Sequence, residues 1–394
     1  MSRQTVIVYA KRTAIGKLCG AFGGTPATQL GASLVRHAIK ELPFLTEETD
    51  EIIMGQVLSA GAGQAPARQT ALAGGLSRKT PALTINKVCG SGMKAVMLAN
   101  QAILSGEANI VIAGGQENMT LAPHLLMNSR SGFRYGPVEM KDHMQWDGLT
   151  NPYDNTAMGV CGELCAREFN FSREEQDEFA LTSYERSRKA IESGYFKEEI
   201  VGVELQQKGQ SYLVDKDEEP FSVDLAKIKN LKPAFDPKGT ITAGNASSIS
   251  DGAALLVLMD EDLAHKKGLK PIARIVQTAT HAQEPNWFTT APIEGIRKVL
   301  SKSSKRIQDV DLIEINEAFS VVPLAAIKHL SLDPAKVNIN GGAVSLGHPI
   351  GASGARILVT LLHALRHHKK KTGLASICIG GGESCNLLVE SMTS

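Results

Sequence analysis

The sequence predicts an α/β protein made of two similar halves with an irregular excursion between them. Toward both ends of the chain, short apolar runs alternate with longer helical patterns, as expected for sheets covered by helices. A segment near residue 50 is repeated near residue 311. The chain has 394 residues, 43% hydrophobic and 21% charged, which is enough for two or three domains with full cores.

In chain order, Val6–Tyr9, Glu51–Val57 and Ala108–Ala113 read as buried strands, interleaved with helices over Leu30–Leu42 and Gly92–Leu104. Further on, Leu312–Ile315 and Ala375–Ile379 read as strands, and Ser320–Leu330 and Ser353–His367 as helices. The repetition lies in Asp50-Glu-Ile-Ile-Met-Gly-Gln-Val57 against Asp311-Leu-Ile-Glu-Ile-Asn-Glu-Ala318: an acidic start, a strand, then a polar turn into a small-residue helix. Position 316 lies 261 residues after position 55, and Gly380–Gly382 lie 266 after Gly114–Gly115, which suggests two halves about a pseudo-two-fold axis. Residues 119–245 have another character, with irregular Met, His, Arg, Trp and Pro, then a charged helix opened by the capping box Ser172-Arg-Glu-Glu175. The expected organisation is a first half over 1–118, completed by about 246–270, the excursion over 119–245, and a second half over 271–394. Excursions of this length commonly carry a binding surface.

A net charge of +1 with no basic stripe argues against a nucleic-acid partner. No run approaches the roughly 20 apolar residues of a membrane span, and a strand pattern starts almost at once, so cytoplasm is the expected compartment. Six cysteines, at 19, 89, 161, 165, 378 and 385, show no disulfide framework and read as reduced thiols. Cys161 and Cys165 lack the partners of a zinc site, and no dinucleotide fingerprint follows a strand, so no metal and no redox cofactor are expected.

Four stretches carry chemistry. In Asn86-Lys-Val-Cys-Gly-Ser-Gly-Met-Lys94, Cys89 sits between a strand pattern and a helix start, where the macrodipole lowers a thiol pKa, to somewhere between about 3.5 and 7.5 in activated cases. A nucleophile and a buried structural cysteine both fit this placement. His348, among the glycines of Gly341–Gly354, suits proton transfer, or is incidental to a phosphate-cradling loop. Cys378 ends a strand directly before three glycines, as an acid/base thiol or a packed strand residue. Asn316, in Asn316-Glu-Ala-Phe319, ends a strand where an amide holds a water or an oxyanion.

Together these stretches resemble the thiolase family, in its acetyl-CoA acetyltransferase branch. The resemblance covers the whole chain, through Arg12-Thr-Ala-Ile-Gly16, Asn86–Gly92, Gly114-Gly-Gln-Glu-Asn-Met119, Thr242-Ala-Gly-Asn-Ala-Ser247, Asn316–Phe319, Gly347-His-Pro-Ile-Gly351 and Cys378–Gly382. It implies the thiolase fold, two βαβαβαββ halves in five α-β-α-β-α layers, with a loop-rich excursion that binds coenzyme A. It implies a ping-pong Claisen condensation of two acetyl-CoA to acetoacetyl-CoA plus CoA, and the reverse thiolysis, with coenzyme A thioesters as substrates and no further cofactor. Cys89 would carry the acyl group, His348 would activate it, and Cys378 would be the acid/base at the α-carbon. Asn316 would hold an oxyanion-hole water, and the N–H groups of Cys89 and Gly380 would form a second hole. Ser247, Met158, Ala243, Ala318 and Phe319 would line the CoA tunnel. A homotetramer, a dimer of dimers, is implied as well.

Glu383-Ser384, Ala157-Met158-Gly159 and Trp287-Phe288 depart from the family's usual residues and bear on Cys378 and on acyl-chain preference. Degradative thiolysis of longer 3-ketoacyl-CoAs is the alternative. A ketoacyl-synthase-like enzyme would have histidines in place of Asn316 and Cys378, and a non-catalytic acyl-CoA-binding scaffold would not need Cys89, His348 and Cys378 together.

Overall fold

The computed structural model describes residues 3–207 and 209–393. β1 (Thr5–Thr13), β2 (Glu51–Gly55), β3 (Ala82–Ile85) and β4 (Ile110–Asn118) are interleaved with α1 (Ala27–Glu41), α2 (Pro66–Gly74) and α3 (Ser91–Ser105). The excursion contains α4 (Met158–Glu168) and α5 (Arg173–Glu192), the latter opened by the reciprocal Ser172–Glu175 capping box. There follow β5 (Ser250–Asp260), β6 (Ala273–Ala282), α6 (Ala291–Ser303), β7 (Leu312–Ile315), α7 (Val321–Leu330), α8 (Ile350–His367), β8 (Thr372–Ile379) and β9 (Glu383–Ser391). None of the described helices is long and apolar enough to cross a membrane.

The strands run in the order β7–β8–β9–β6–β1–β5–β4–β2–β3, and two short strands complete an eleven-stranded sheet among the described residues. β1 and β6 meet over only two residue pairs, Val6 with Arg274 and Ile7 with Ala273, so the sheet is two half-sheets joined at a short seam. Alternation along the strands sends side chains to both faces. Ile110 and Ile112 pack under α1 and α2, while Val111 and Ala113 face α3 and α8. In the other half-sheet Ala375 and Ile377 face α3 and α8, while Leu374 and Cys378 pack under α6 and α7. The result is five layers, α1/α2, sheet, α3/α8, sheet, α6/α7. Helix α8 lies in the middle and is buried at every residue from Ile350 to Leu365.

The repetition reaches individual hydrogen bonds. The Asp50 carboxylate accepts from the N–H groups of Asn109 and Ile110 at 2.7 and 2.9 Å. Asp311 accepts from Lys371 and Thr372 at 3.0 and 2.8 Å. Each acidic residue thereby pins the start of the neighbouring parallel strand. Between the half-sheets, α3 and α8 cross through Gly92 and Gly354. A Cβ on Gly92 would lie 2.9 Å from Ala355 N, and one on Gly354 would lie 2.5 Å from Met93 N, so each glycine admits the other helix's backbone.

These matches hold an offset of 261 to 262 residues, which corrects the pairing of Gly114–Gly115 with Gly380–Gly382. With Ile110 matched to Thr372, Gly114–Gly115 fall opposite Ser376–Ile377. The two glycine sets do different work. Gly115 lets α8 approach, since a Cβ there would sit 2.0 Å from Gly351 O, whereas Gly381 and Gly382 take φ of +91° and +85° in the tight turn from β8 to β9.

Asp50→Ala and Asp311→Ala each orphan two backbone donors at a strand start. Both variants should lose about 1–2 kcal/mol of stability by urea denaturation, and by similar amounts. A loss confined to one of them would show that the two grips are not energetically equivalent.

Candidate active site

Cys89 stands on a turn between β3 and α3 that local hydrogen bonds hold against strain. Val88, a β-branched residue, is held at φ +44°, where such side chains are rarely found. Its N–H donates to Asn86 Oδ1 at 2.9 Å, and Ser91 Oγ donates to Val88 O at 2.7 Å while accepting from Lys87 N at 2.8 Å. The N–H groups of Gly380 and of Cys89 itself point at the Cys89 sulfur. Burial nevertheless outweighs these donors and pushes the thiol up to about 11. The expectation of a lowered thiol pKa is thereby corrected: α3 offers its N-terminus, but the sulfur sits where a charge loses too much hydration.

His348 lies in the turn that leads into α8. Its Nδ1 is 2.6 Å from Ser353 Oγ, which donates onward to Pro349 O at 2.9 Å. Ser353 must therefore accept, so Nδ1 carries the proton and Nε2 keeps its lone pair. Asn316 Nδ2 lies 3.5 Å from that Nε2, and Asn316 Oδ1 is buried with no partner among the described residues, free for a donor in the cavity. Burial first, and the Arg356 charge second, drive the imidazole down to about 3, so it is neutral at any working pH. The N-terminus of α8 is held from below by Glu117, whose carboxylate accepts from the N–H groups of Val57, Leu58 and Gly351 at 2.9, 3.2 and 2.9 Å.

Cys378 is fully buried behind Cys89. Burial raises its thiol pKa first and the nearby Cys89 sulfur second, while the Ala318 N–H opposes the rise. Cys89, His348 and Gly380 line a chamber of about 60 Å³ together with Phe288, Leu149 and Ile350. The chamber shares Leu149, Met158, Ser247, Ala318, Phe319, His348 and Ile350 with a cavity of about 360 Å³ that also takes in Ala243, Ala157 and Phe235. A larger surface cleft, about 540 Å³ between Arg173 and Lys229, is lined mostly by charged side chains and touches none of these residues.

The chain matches two family models over nearly its whole length, "Thiolase, N-terminal domain" over residues 5–262 and "Thiolase, C-terminal domain" over 269–391. This chain belongs to the thiolase family. It is 47% identical over 388 residues to a probable acetyl-CoA acyltransferase of Staphylococcus aureus strain COL, 98% of each chain. It is 48% identical over 387 residues to an acetyl-CoA acetyltransferase of Cupriavidus necator, again 98% of each. The crystal structure of the Bacillus anthracis acetyl-CoA acetyltransferase superposes with a TM-score of 0.96 at 40% identity, over 99% of both chains. Membership makes this thiolase an acyltransferase enzyme with the thiolase fold.

The structure gathers the residues singled out from the thiolase motifs, and it separates others. Trp287 packs edge-on against Phe169 at 6.2 Å and lines neither cavity, whereas Phe288 walls the chamber. Glu383 ion-pairs with Lys87 and does not contribute to the Cys378 shift. Sequence reading missed Leu149 and Phe235, apolar residues in irregular stretches with no period to mark them, and the wall position of Ile350 at the start of α8. It also missed the role of Ser353, five residues after His348 in a stretch already noted for its glycines.

A thiol held near pKa 11 is ionised to only about one part in ten thousand at pH 7. Iodoacetamide modification of Cys89, followed by peptide mass spectrometry to separate it from exposed Cys19, should therefore climb about tenfold per pH unit between roughly pH 7 and 9.5. A plateau starting below pH 8 would mean a stabilised resting thiolate.

Proposed function

We propose that this thiolase is an acetyl-CoA C-acetyltransferase that condenses two acetyl-CoA into acetoacetyl-CoA and CoA and runs the reverse thiolysis. One observation carries the reading: Cys89, the bare Nε2 of His348 and the N–H of Gly380 converge on one small chamber at the end of a longer apolar cavity.

In the first half-reaction Cys89 Sγ passes its proton to His348 Nε2 and attacks the thioester carbonyl. The C–S bond to CoA breaks, and the CoA sulfur takes the proton back from His348 and leaves as the free thiol. Because the resting thiol and imidazole are both neutral, proton transfer keeps step with attack. A donor held by Asn316 beside His348 would meet the oxygen of one thioester, and the N–H groups of Cys89 and Gly380 the oxygen of the acyl-enzyme. Losing one such donor typically costs about 10²–10³ in rate. In the second half-reaction Cys378, as thiolate, removes an α-proton from the second acetyl-CoA, whose carbanion attacks the acetyl-Cys89 carbonyl. Collapse expels the Cys89 thiolate, and the proton on Cys378 passes to it, which restores the starting state. The active form thus holds one proton between the two sulfurs.

Ser247, Ala243, Met158, Ala318 and Phe319, on the wall of the longer cavity, would contact the pantetheine arm. The chamber, about 60 Å³ against about 360 Å³ for the longer cavity, is small, which supports an acetyl over a longer acyl chain. The same reading takes a homotetramer, for which exposed Phe133, Tyr135, Met140 and Trp146 on the excursion offer apolar surface.

CoA-dependent cleavage of acetoacetyl-CoA, measured beside a six-carbon 3-ketoacyl-CoA, tests the reading. Wild type should cleave the four-carbon substrate preferentially, and Cys89→Ala neither. Cys378→Ala should keep acetyl exchange between acetyl-CoA and CoA while losing about 10²–10⁴ in cleavage and condensation. Faster cleavage of the longer substrate would move the protein to the degradative class, and loss of exchange in Cys378→Ala would overturn the division between the thiols.

A further inference from the structure

At the other end of α8 lies a second cluster that the acyl chemistry does not use. His363 and His367 are one helical turn apart and share a face. Glu198 meets them from the 3₁₀ turn Tyr195–Glu198, and one ligating atom from each of the three lies within 4.8 Å of the others. His363 is 7% exposed, and its Nε2 lies 2.9 Å from Ala10 O. That nitrogen therefore carries the proton, and Nδ1 presents a lone pair. Nδ1 of His363 and Nε2 of His367 are both buried with no partner among the described residues. His367 is not simply a solvated helix end: its ring lies 5.1 Å from that of Tyr195, which covers it.

We propose that Glu198, His363 and His367 form a binding site for a divalent transition-metal cation, with zinc the best chemical match. Two imidazole nitrogens and one carboxylate, with a fourth position left for water, are a familiar zinc donor set. The Ala10 carbonyl orients His363 from behind, as the outer partners of ligating histidines do. The backbone at Glu198 is fixed by its neighbour Glu199, which receives Arg12 Nε at 2.6 Å and Thr360 Oγ1 at 3.1 Å. Tetrahedral ligands at about 2.0–2.2 Å lie about 3.3–3.6 Å apart. Closing from 4.8 Å thus needs a modest rotation, which falls to Glu198 as the exposed member. Two cations compete. Arg366 pairs with Glu198, and the Lys11 ammonium donates to the Glu198 carbonyl. The Arg366 pair is solvent-exposed and therefore weak, so a divalent ion can displace it. Bound there, the cation would clamp the excursion to the helix whose opposite end carries His348.

Metal-stripped protein titrated with Zn²⁺ against a chromophoric chelator tests this, alongside His367→Gln, Glu198→Gln and Arg366→Ala. Co²⁺ is titrated in parallel, because binding at cysteine would appear as thiolate-to-metal charge-transfer absorption and binding at this site would not. The expected result is one site per chain without that absorption, weakened at least tenfold in His367→Gln, weakened in Glu198→Gln and tightened in Arg366→Ala. Zinc should raise the melting temperature of wild type and leave that of His367→Gln in place, with metal-free melting and acetoacetyl-CoA cleavage alike in both. Equal zinc affinity in wild type and His367→Gln, or cobalt bound only through thiolate, would overturn the proposal.

Discussion

The glycine-on-glycine crossing of α3 and α8 is the constraint on which the site depends. Each helix begins directly after a chemistry-bearing turn, Cys89 before α3 and His348 before α8, and 259 residues separate the two in sequence. The turns share one chamber because the helix starts lie almost backbone to backbone. A methyl group on Gly354 would come within 2.5 Å of the α3 backbone, which leaves nothing flexible to give way. The same close approach continues beneath, where Gly115 lets β4 touch Gly351 and Glu117 closes three backbone N–H groups around the junction. Rigidity here is what fixes a thiol, an imidazole and two amide donors relative to one another.

That packing also makes the site dry, and dryness decides the protonation states. Burial is the largest cause of all three shifts: upward for Cys89, upward for Cys378, downward for His348. For Cys89 and His348 this keeps the resting form neutral, and it makes a Cys378 thiolate, once formed, a strong base. Two amide N–H groups pull Cys89 the other way and lose. Those donors become worth more when the substrate arrives, because an oxyanion forming in a low-dielectric chamber meets dipoles already aimed at it. High thiol pKa values are thus compatible with the proposed condensation, since a strong base is what an α-proton of a thioester requires.

Much of this was legible in the sequence, and the reasons differ by element. β4, β7 and β8 declared themselves as apolar runs, and α5 through its capping box. Cys89, His348 and Cys378 stood out because reactive side chains beside glycine are chemically distinctive. The offset of the repeat was misread at Gly114–Gly115, because glycine marks both a close approach inside the sheet and a left-handed turn after it, and sequence alone does not separate the two. Leu149 and Phe235 were hidden for another reason: an apolar wall residue in an irregular segment looks like any other core residue. The direction of the Cys89 shift was out of reach because helix position is read along the chain, whereas desolvation is set by what packs around the sulfur in three dimensions.

Two similar halves around an axis would ordinarily make two similar sites, and this chain makes one. At the matching positions the first half carries Asn86 for His348, Gln116 for Cys378 and Gly55 for Asn316, while the second half carries Gly351 for Cys89. The counterparts do structural work instead. Asn86 Oδ1 ties down the strained Val88 turn, and Gln116 bridges Thr70 and Gln56 at 2.7 and 3.0 Å. The connections differ in the same sense. β8 passes to β9 through three glycines, whereas β4 reaches β5 only through the long excursion that brings Met158 and Phe235 to the cavity wall. The excursion leaves the first half directly after β4 and returns directly before β5, and its Trp146 and Met158 line a cleft with Gly380 of the second half. One half therefore supplies Cys89 and the roof, and the other supplies His348, Asn316 and Cys378. Duplication built the frame, and divergence at a handful of strand ends and helix starts gave it a single reactive face.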